Sequence, residues 1–150
     1  MFGKGARKID IQVSVSESKF KPGDTVSASV SLYANEDVNA KDTTVELIWY
    51  TEGKGDRDEG IIESMVIHSG DWSSGQSLSE TVGFTLPEGP WSYRGHFITI
   101  LWAIRVTVAT RNIFSNIFDL KTFVMSPYDD VALPNPNEST ATYSEESSAF

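Results

Sequence analysis

The densest set of polar side chains in this chain is the sequence EGKGDRDEG. Its carboxylates, Asp56, Asp58 and Glu59, carry the oxygen ligands that a hard cation such as calcium prefers. Their spacing matches no calcium-binding loop, and Lys54 and Arg57 lie among them. We therefore expect a solvated hairpin loop that holds no cofactor, and we keep the three acids as the candidate metal ligands.

Residues for acid–base or nucleophilic catalysis form no recognisable set. The two histidines, His68 and His96, fall at or near predicted strand ends, with no third ligand at a familiar spacing. No serine stands in a G-x-S-x-G turn, and Gly53-Lys54-Gly55 lacks the frame of a phosphate-binding loop. We therefore expect a protein that is not an enzyme.

The four tryptophans divide by their surroundings. Trp49 and Trp102 fall on apolar faces of predicted strands, which places them in a core. Trp72 and Trp91 fall in loops, where a tryptophan either folds down onto the core or contacts a partner. Trp72 and Trp91 are therefore the candidate partner-contact residues.

Composition narrows the classes of partner. A net charge of −9 disfavours nucleic acid, whose phosphates need a basic surface. The absence of cysteine removes disulfides and thiolate metal sites and fits a reducing compartment. The N-terminal sequence MFGKGARKIDIQ has no apolar signal-peptide core, and no apolar run approaches the ~20 residues that span a bilayer. These features predict a cytoplasmic protein without a membrane span.

The elements that must position these residues are strands. Gly95–Ala109 places Trp102, Ile104 and Val106 on one parity, and since strand side chains alternate between faces, this segment has one continuous apolar face. We predict that it is the central strand, along which shorter strands pair. A chain of 150 residues with 39% apolar content is long enough for one domain with its own core.

Shorter alternating segments lie on both sides of this strand. Lys8–Val15 and Thr25–Leu32 are apolar at every second position, which is typical of antiparallel strands with one wet face. Between them, Pro22-Gly23 predicts a tight turn with positive φ at the glycine. Further strands are predicted at Thr43–Tyr50, Glu59–His68, Gln76–Phe84 and Ile117–Val124. Together they predict an all-β fold, an antiparallel Ig-like β-sandwich of seven to eight strands.

The C-terminal residues differ in composition from the rest. From Asp129 onward the chain has acidic residues and no basic one, with many serines, threonines and asparagines. Such a segment buries too little apolar surface to offset the entropy of ordering. We predict a sandwich domain over residues 1–127 and an acidic, disordered Ser/Thr-rich tail over residues 128–150.

Two stretches resemble the N-terminal sandwich domain of the arrestin-like family. Phe20-Lys21-Pro22-Gly23-Asp24-Thr25-Val26 resembles the family's early aromatic-x-Pro-Gly-acidic-x-Val turn and strand. Leu86-Pro87 and Gly89-Pro90-Trp91-Ser92-Tyr93-Arg94-Gly95 are similar to its Leu-Pro…Pro-Ser-aromatic-x-Gly segment, which precedes a long strand. The resemblance covers roughly residues 8–125 and implies an arrestin-like β-sandwich. The family includes arrestins, trafficking adaptors, a retromer subunit and bacterial sporulation-control proteins.

The resemblance carries over no receptor-binding residue, because the matched positions are turn and core positions. Family members commonly have a second sandwich domain, and the residues here account for one. The resemblance also allows a buried, polar-core arginine at Arg105. Since charged side chains are rarely buried, we expect Arg105 to be exposed on its strand.

The resemblance implies a non-catalytic protein-interaction module, an adaptor or scaffold that binds a protein. The residues specify neither the partner nor the oligomeric state. The alternative is an extracellular Ig-like module that binds carbohydrate or calcium through Trp72, Trp91 and the acidic loop. The missing signal sequence and the absence of cysteine count against it.

Overall fold

The computed structural model describes residues 7–55, 57–112 and 115–128. These residues form nine β-strands: β1 Ile9–Val15, β2 Lys19–Phe20, β3 Thr25–Ala34, β4 Ala40–Gly53, β5 Glu59–Ser69, β6 Ser77–Thr85, β7 Tyr93–Arg94, β8 Ile98–Thr110 and β9 Ile117–Met125. Within them, no helix is long and apolar enough to cross a membrane.

The strands form two sheets. The smaller has the order β1-β3-β6, and the larger has the order β2-β9-β8-β4-β5, with β7 paired to β8. Every pairing is antiparallel except the short contact of β2 with β9. The all-β sandwich class is confirmed. The structure exceeds seven to eight strands because β2 and β7, two residues each, lie where the prolines predicted only turns or irregular chain.

The strand β8 occupies the central position that the sequence predicts. It lies between β4 and β9, and it pairs with twelve residues of β4. Trp102, Ile104 and Val106 are fully buried in the core between the sheets. The strand begins three residues later than predicted, because the preceding residues turn back from β7 through a hydrogen bond between Gly95 N and Ile98 O.

The turn between β2 and β3 also agrees with its prediction. Gly23 has φ of 89°, and Asp24 N donates to Lys21 O over 3.0 Å. The Asp24 carboxylate accepts a second hydrogen bond from Lys21 N. Proline and glycine thus supply the two backbone conformations that this tight turn requires.

The core between the sheets follows the predicted alternation. In β3, Val26, Ala28 and Val30 are buried while the intervening residues face outward. The predicted tail lies outside the described residues beyond Tyr128, so its disorder and the boundary at residue 127 remain predictions.

Candidate interaction surface

Each sheet has an outer face that points away from the core, and the two outer faces differ in chemistry. On the smaller sheet, Ser29 and Ser31 of β3 are exposed, and Ser31 Oγ lies 3.4 Å from Ser79 Oγ of β6. Their cross-strand neighbours are also polar: Gln12, Ser14, Ser79 and Thr81. We call this outer face the hydroxyl face.

The outer face of the larger sheet is largely apolar. Ile48, Tyr50 and Ala103 form a buried cluster that is separate from the main core, with Leu101 and Leu120 packed against it. In β4 these outward residues alternate with Val45 and Leu47, which belong to the main core. A sheet face with no second layer normally carries polar side chains, so the burial of this cluster needs an explanation.

Arg105 supplies that explanation. Its Nε donates to Glu46 Oε1 over 2.9 Å, and its Nη1 and Nη2 donate to the two Glu59 carboxylate oxygens over 3.0 and 2.9 Å. Such a two-pronged contact fits the planar guanidinium fork. We call these three side chains the arginine bridge.

The register shows where the arginine bridge lies. Arg105 pairs across the sheet with Glu46, whereas Glu59 pairs with Tyr50. Between these two rows lies the row of Ile48 and Ala103. Because the guanidinium contacts carboxylates on both sides of that row, the ion pair spans it and shields its apolar side chains from water.

The expectation that Arg105 is exposed is wrong. Only 19% of its side chain is exposed, although it lies on an outer face and not in the core. Burial lowers its pKa, but the hydrogen bonds that Arg105 donates to Glu59 and Glu46, and the negative charges of these carboxylates, outweigh that effect, so the pKa of Arg105 is raised. The sequence contains a signal for this site. Ile48 and Tyr50 fall on the outward-facing parity of β4, where polar residues are expected, yet both are apolar.

Tyr50 is shielded by a second arginine. The guanidinium carbon of Arg57 lies 4.7 Å from the centre of the Tyr50 ring, within the range of a cation–π contact. Burial raises the pKa of Tyr50, the nearby Glu52 carboxylate raises it further, and Arg57 opposes both. Long cationic side chains thus cover much of the apolar cluster.

Three large apolar residues on the same face remain exposed. Ile61 pairs with Ile48, and Ile61 is 52% exposed. Another cross-strand row contains Thr44 and Thr107, with Val66 at one end and Phe118 at the other. Val66 is 51% exposed and Phe118 is 54% exposed. Exposed apolar residues that share a face with a partly desolvated ion pair have the composition of a protein-binding surface.

The edge strand β5 exposes further apolar residues, of which Met65 pairs with the core residue Val45 and so lies on the inner side of the sheet. Its remaining exposed apolar residues are Ile62 and Met65, and it contains no lysine, arginine or proline. The register of its pairing with β4 shifts between Thr43 and Thr44 and between Leu47 and Ile48. Consecutive apolar residues fall at these bulges, which explains the blurred alternation of the sequence.

Of the candidate metal ligands, Glu59 has its carboxylate in another contact, whereas Asp58 makes its contacts through its backbone. The Glu59 carboxylate is bound by Arg105. Asp58 N donates to Thr51 Oγ1 over 2.9 Å, and Thr51 N donates to Asp58 O over 3.0 Å, so these residues close the hairpin. Asp56 lies outside the described residues. Among the residues that the structure describes, no group of three metal-ligating side chains converges.

Of the two candidate contact tryptophans, Trp72 is buried. Only 1% of it is exposed, its Nε1 donates to Thr43 Oγ1 over 3.1 Å, and the His68 ring lies 4.4 Å from it. The interpretation of Trp72 as a partner contact is therefore wrong, because the loop folds it onto the core. A backbone bridge to Val38 holds it there.

Trp91 remains accessible, with 38% of the residue exposed. Its Nε1 donates to Glu88 O over 2.9 Å, and its ring packs edge-on against Tyr128 at 5.9 Å.

The second histidine, His96, packs against the exposed Phe97. The structure therefore places the two histidines against aromatic rings, in separate contacts.

An open cleft of about 550 Å³ lies beside the start of β1, and its lining includes the cationic side chains of Arg7, Lys8 and Arg111. Among its lining residues, Arg7 Nη2 donates to Phe118 O over 2.8 Å and Arg111 Nη2 lies 4.0 Å from Asp71 Oδ1. The carboxylate of Asp37 accepts a hydrogen bond from Ser74 N. The polar groups of this cleft thus bind one another and neighbouring backbone.

The two-sheet arrangement places this chain in the class of all-β sandwiches. No family sequence model and no curated protein sequence matches it. Among solved structures, it is similar to the crystal structure of Spo0M, sporulation control protein, from Bacillus subtilis. That match has a TM-score of 0.61 and 14% identity, and it covers 82% of this chain. The chain spans about half of Spo0M, 51% of its length, so the shared property is the fold.

Proposed function

We propose that this chain is a non-catalytic protein-interaction module of the arrestin-like family, which acts in the cytoplasm as an adaptor for a protein partner. The fold shared with Spo0M and the two sequence motifs support the family assignment. A fold alone hosts many functions, so the binding role needs support from a surface.

The observation that carries the proposal is the composition of the outer face of the larger sheet. Ile61, Val66 and Phe118 are exposed there, beside the buried cluster and the arginine bridge. The hydroxyl face offers a partner no comparable apolar area. A central apolar area with a few oriented charges is the arrangement that gives protein interfaces affinity and specificity.

Site-specific cross-linking tests this assignment. A photoreactive amino acid is placed at Val66 or Phe118, and in a control chain at Ser31 on the hydroxyl face. We expect a cross-linked protein from the source cell at the first two positions and not at the third. The purified partner should then bind the wild-type chain and lose at least tenfold in affinity with Val66→Lys, but not with Ser31→Lys. Equal loss with both variants would contradict the proposal.

The alternative of a carbohydrate- or calcium-binding module loses two of its site residues. Trp72 is buried and the Glu59 carboxylate is engaged by Arg105, while Trp91 and Asp58 remain exposed. Trp91 is itself packed against Tyr128. The contacts of these residues therefore favour the interaction module.

A further inference from the structure

We propose that β5 pairs antiparallel with β5 of a second copy of this chain, around a two-fold axis at Ser64. This pairing would join the two larger sheets into one continuous sheet. The inference goes beyond the proposed function, because it concerns self-association and not the adaptor's partner.

The first support is that the outer edge of β5 is open. In the described part of the chain, β5 is hydrogen-bonded to β4 on one side and to no strand on the other. Natural edge strands are usually protected by charged side chains, proline, β-bulges or a covering segment, and of these β5 has Glu63 and two bulges. β5 has neither lysine nor proline, and Ile61, Ile62, Met65 and Val66 are exposed along it.

The second support is the contrast with β6, the corresponding edge of the smaller sheet. There, Val82 and Phe84 are buried, and the outward positions are occupied by serine, threonine, glutamate and glycine. One sandwich thus has one edge that is polar and one that is apolar. The exposed apolar side chains of β5 give a second copy a surface that the β6 edge does not offer.

The third support is that β5 is complementary to itself. With Ser64 opposite Ser64, Glu63 faces Met65 and Ile62 faces Val66, and no two acidic residues are opposed. The faces agree as well: Glu63 and Met65 pair in β4 with the core residues Leu47 and Val45, so both point to the inner side. Such an isologous contact closes into a dimer and does not propagate into a fibre.

The two bulges limit the extent of the pairing. They confine the regular part of β5 to the four residues 63–66, between the two register shifts. Bulges twist an edge strand away from extended pairing. We therefore expect a small, reversible interface and a dimer that forms at high protein concentration.

The charge of the chain gives the dimer a diagnostic salt dependence. Each copy carries a net charge of −9, so two copies repel each other, and salt screens that repulsion over about a Debye length of 8–10 Å. Added salt should therefore strengthen the dimer. If β5 instead bound a basic strand of another protein, salt would weaken the contact.

The experiment uses the full chain, whose lack of cysteine makes single-cysteine variants unambiguous. Opposed residues of an antiparallel pair have Cα atoms about 4.5–5.5 Å apart, within the range of a disulfide. Under mild oxidation, Ser64→Cys should form a covalent dimer at least tenfold faster than Ser31→Cys on the hydroxyl face. Cross-linking of Met65→Cys should be slower than that of Ser64→Cys, because Met65 faces Glu63.

Sedimentation velocity provides the second readout. The wild-type chain should shift from monomer to dimer between about 10 and 500 µM protein, at lower concentration in 300 mM than in 50 mM NaCl. Met65→Glu should remain monomeric, because it places a second carboxylate opposite Glu63 of the other copy, while Ser31→Glu on the hydroxyl face should match the wild type. A monomer at every concentration, or equal cross-linking rates for Ser64→Cys and Ser31→Cys, would overturn the inference. Neither result bears on the adaptor's partner, which the cross-link at Phe118 of β9, away from the β5 edge, tests separately.

Discussion

The two outer faces of this sandwich differ in how far they exclude water from their sheets. The hydroxyl face is wet: its exposed Ser29 and Ser31 alternate with buried core residues, as expected of a sheet with one solvated side. The outer face of the larger sheet buries Ile48 and Ala103 beneath an ion pair that reaches from β8 to β5. A sheet face can therefore hold a small apolar cluster without a second layer, provided that long charged side chains cover it.

The same ion pair ties the edge strand to the sheet. Arg105 belongs to the central strand and Glu59 to the edge strand, with β4 between them. The arginine bridge thus holds the first residue of β5 in place in addition to the backbone ladder. The hydroxyl face has only short side-chain contacts, such as that between Ser31 and Ser79.

The largest expected effect comes from removing the covered apolar side chain. Ile48→Ala should lower the free energy of unfolding by about 3 kcal/mol, since it removes three buried carbon atoms and leaves a cavity. Ser31→Ala on the hydroxyl face should change it by no more than about 0.5 kcal/mol. Urea denaturation of both variants checks the contrast. Similar small losses for the two would mean that the outer cluster is not a packed core.

The next effect comes from breaking the arginine bridge. Arg105→Ala should lower the free energy of unfolding by about 2–3 kcal/mol, because Glu46 and Glu59 lose their counter-charge and Ile48 loses its cover. The loss is smaller than for a fully buried ion pair, because the Glu59 carboxylate is partly exposed to water. Arg7→Ala is the matched control, since its pair with Asp119 is exposed and 3.9 Å long. That change should cost less than about 1 kcal/mol.

A double-mutant cycle sharpens this result. If Arg105 stabilises the protein partly by covering Ile48, the losses of Ile48→Ala and Arg105→Ala should not add, and the coupling should exceed about 0.5 kcal/mol. Ile48→Ala combined with Arg7→Ala should be additive. Additivity in both pairs would place the arginine bridge away from Ile48.

Two edge-strand glycines give a smaller and purely steric comparison. A Cβ at Gly60 of β5 would clash with Trp49 Nε1, whereas a Cβ at Gly83 of β6 would have Thr25 Cγ2 at 3.6 Å as its nearest neighbour. Gly60→Ala should therefore lower the free energy of unfolding by about 1–3 kcal/mol, because the new methyl group displaces the Trp49 indole. Gly83→Ala should be neutral or slightly stabilising, because alanine loses less backbone entropy on folding. Thermal unfolding monitored by circular dichroism measures both.

The smallest effect concerns pH. Because the pKa of Tyr50 is raised in the folded state, its contribution to stability is complete below the ordinary tyrosine value of about 10 and is lost as the pH rises through the folded-state pKa. Tyr50→Phe should flatten the fall of the urea midpoint between about pH 9 and 11. Tyr33→Phe, on the hydroxyl face, serves as the control. Identical pH profiles for wild type and Tyr50→Phe would contradict this assignment.

What the sequence determined by itself is local. Alternation in β1, β3 and β8 specified strands, their inward faces and the all-β class, because the period of two depends only on neighbouring residues. The Pro22-Gly23 turn was equally predictable, since proline and glycine set their own backbone angles. The strands β2 and β7 were not, because two-residue strands exist only through a neighbour supplied by the fold.

What only the tertiary structure decided is which distant residues meet. Glu46, Glu59 and Arg105 are separated by long stretches of chain, and they converge only because β8, β4 and β5 are adjacent in one register. Two loop tryptophans looked equivalent in the sequence, yet Thr43 and His68 draw Trp72 into the core while Trp91 stays accessible. Sheet order also decides that β5 is an edge. These outcomes depend on contacts between residues far apart in the chain, and side-chain periodicity carries no information about such contacts.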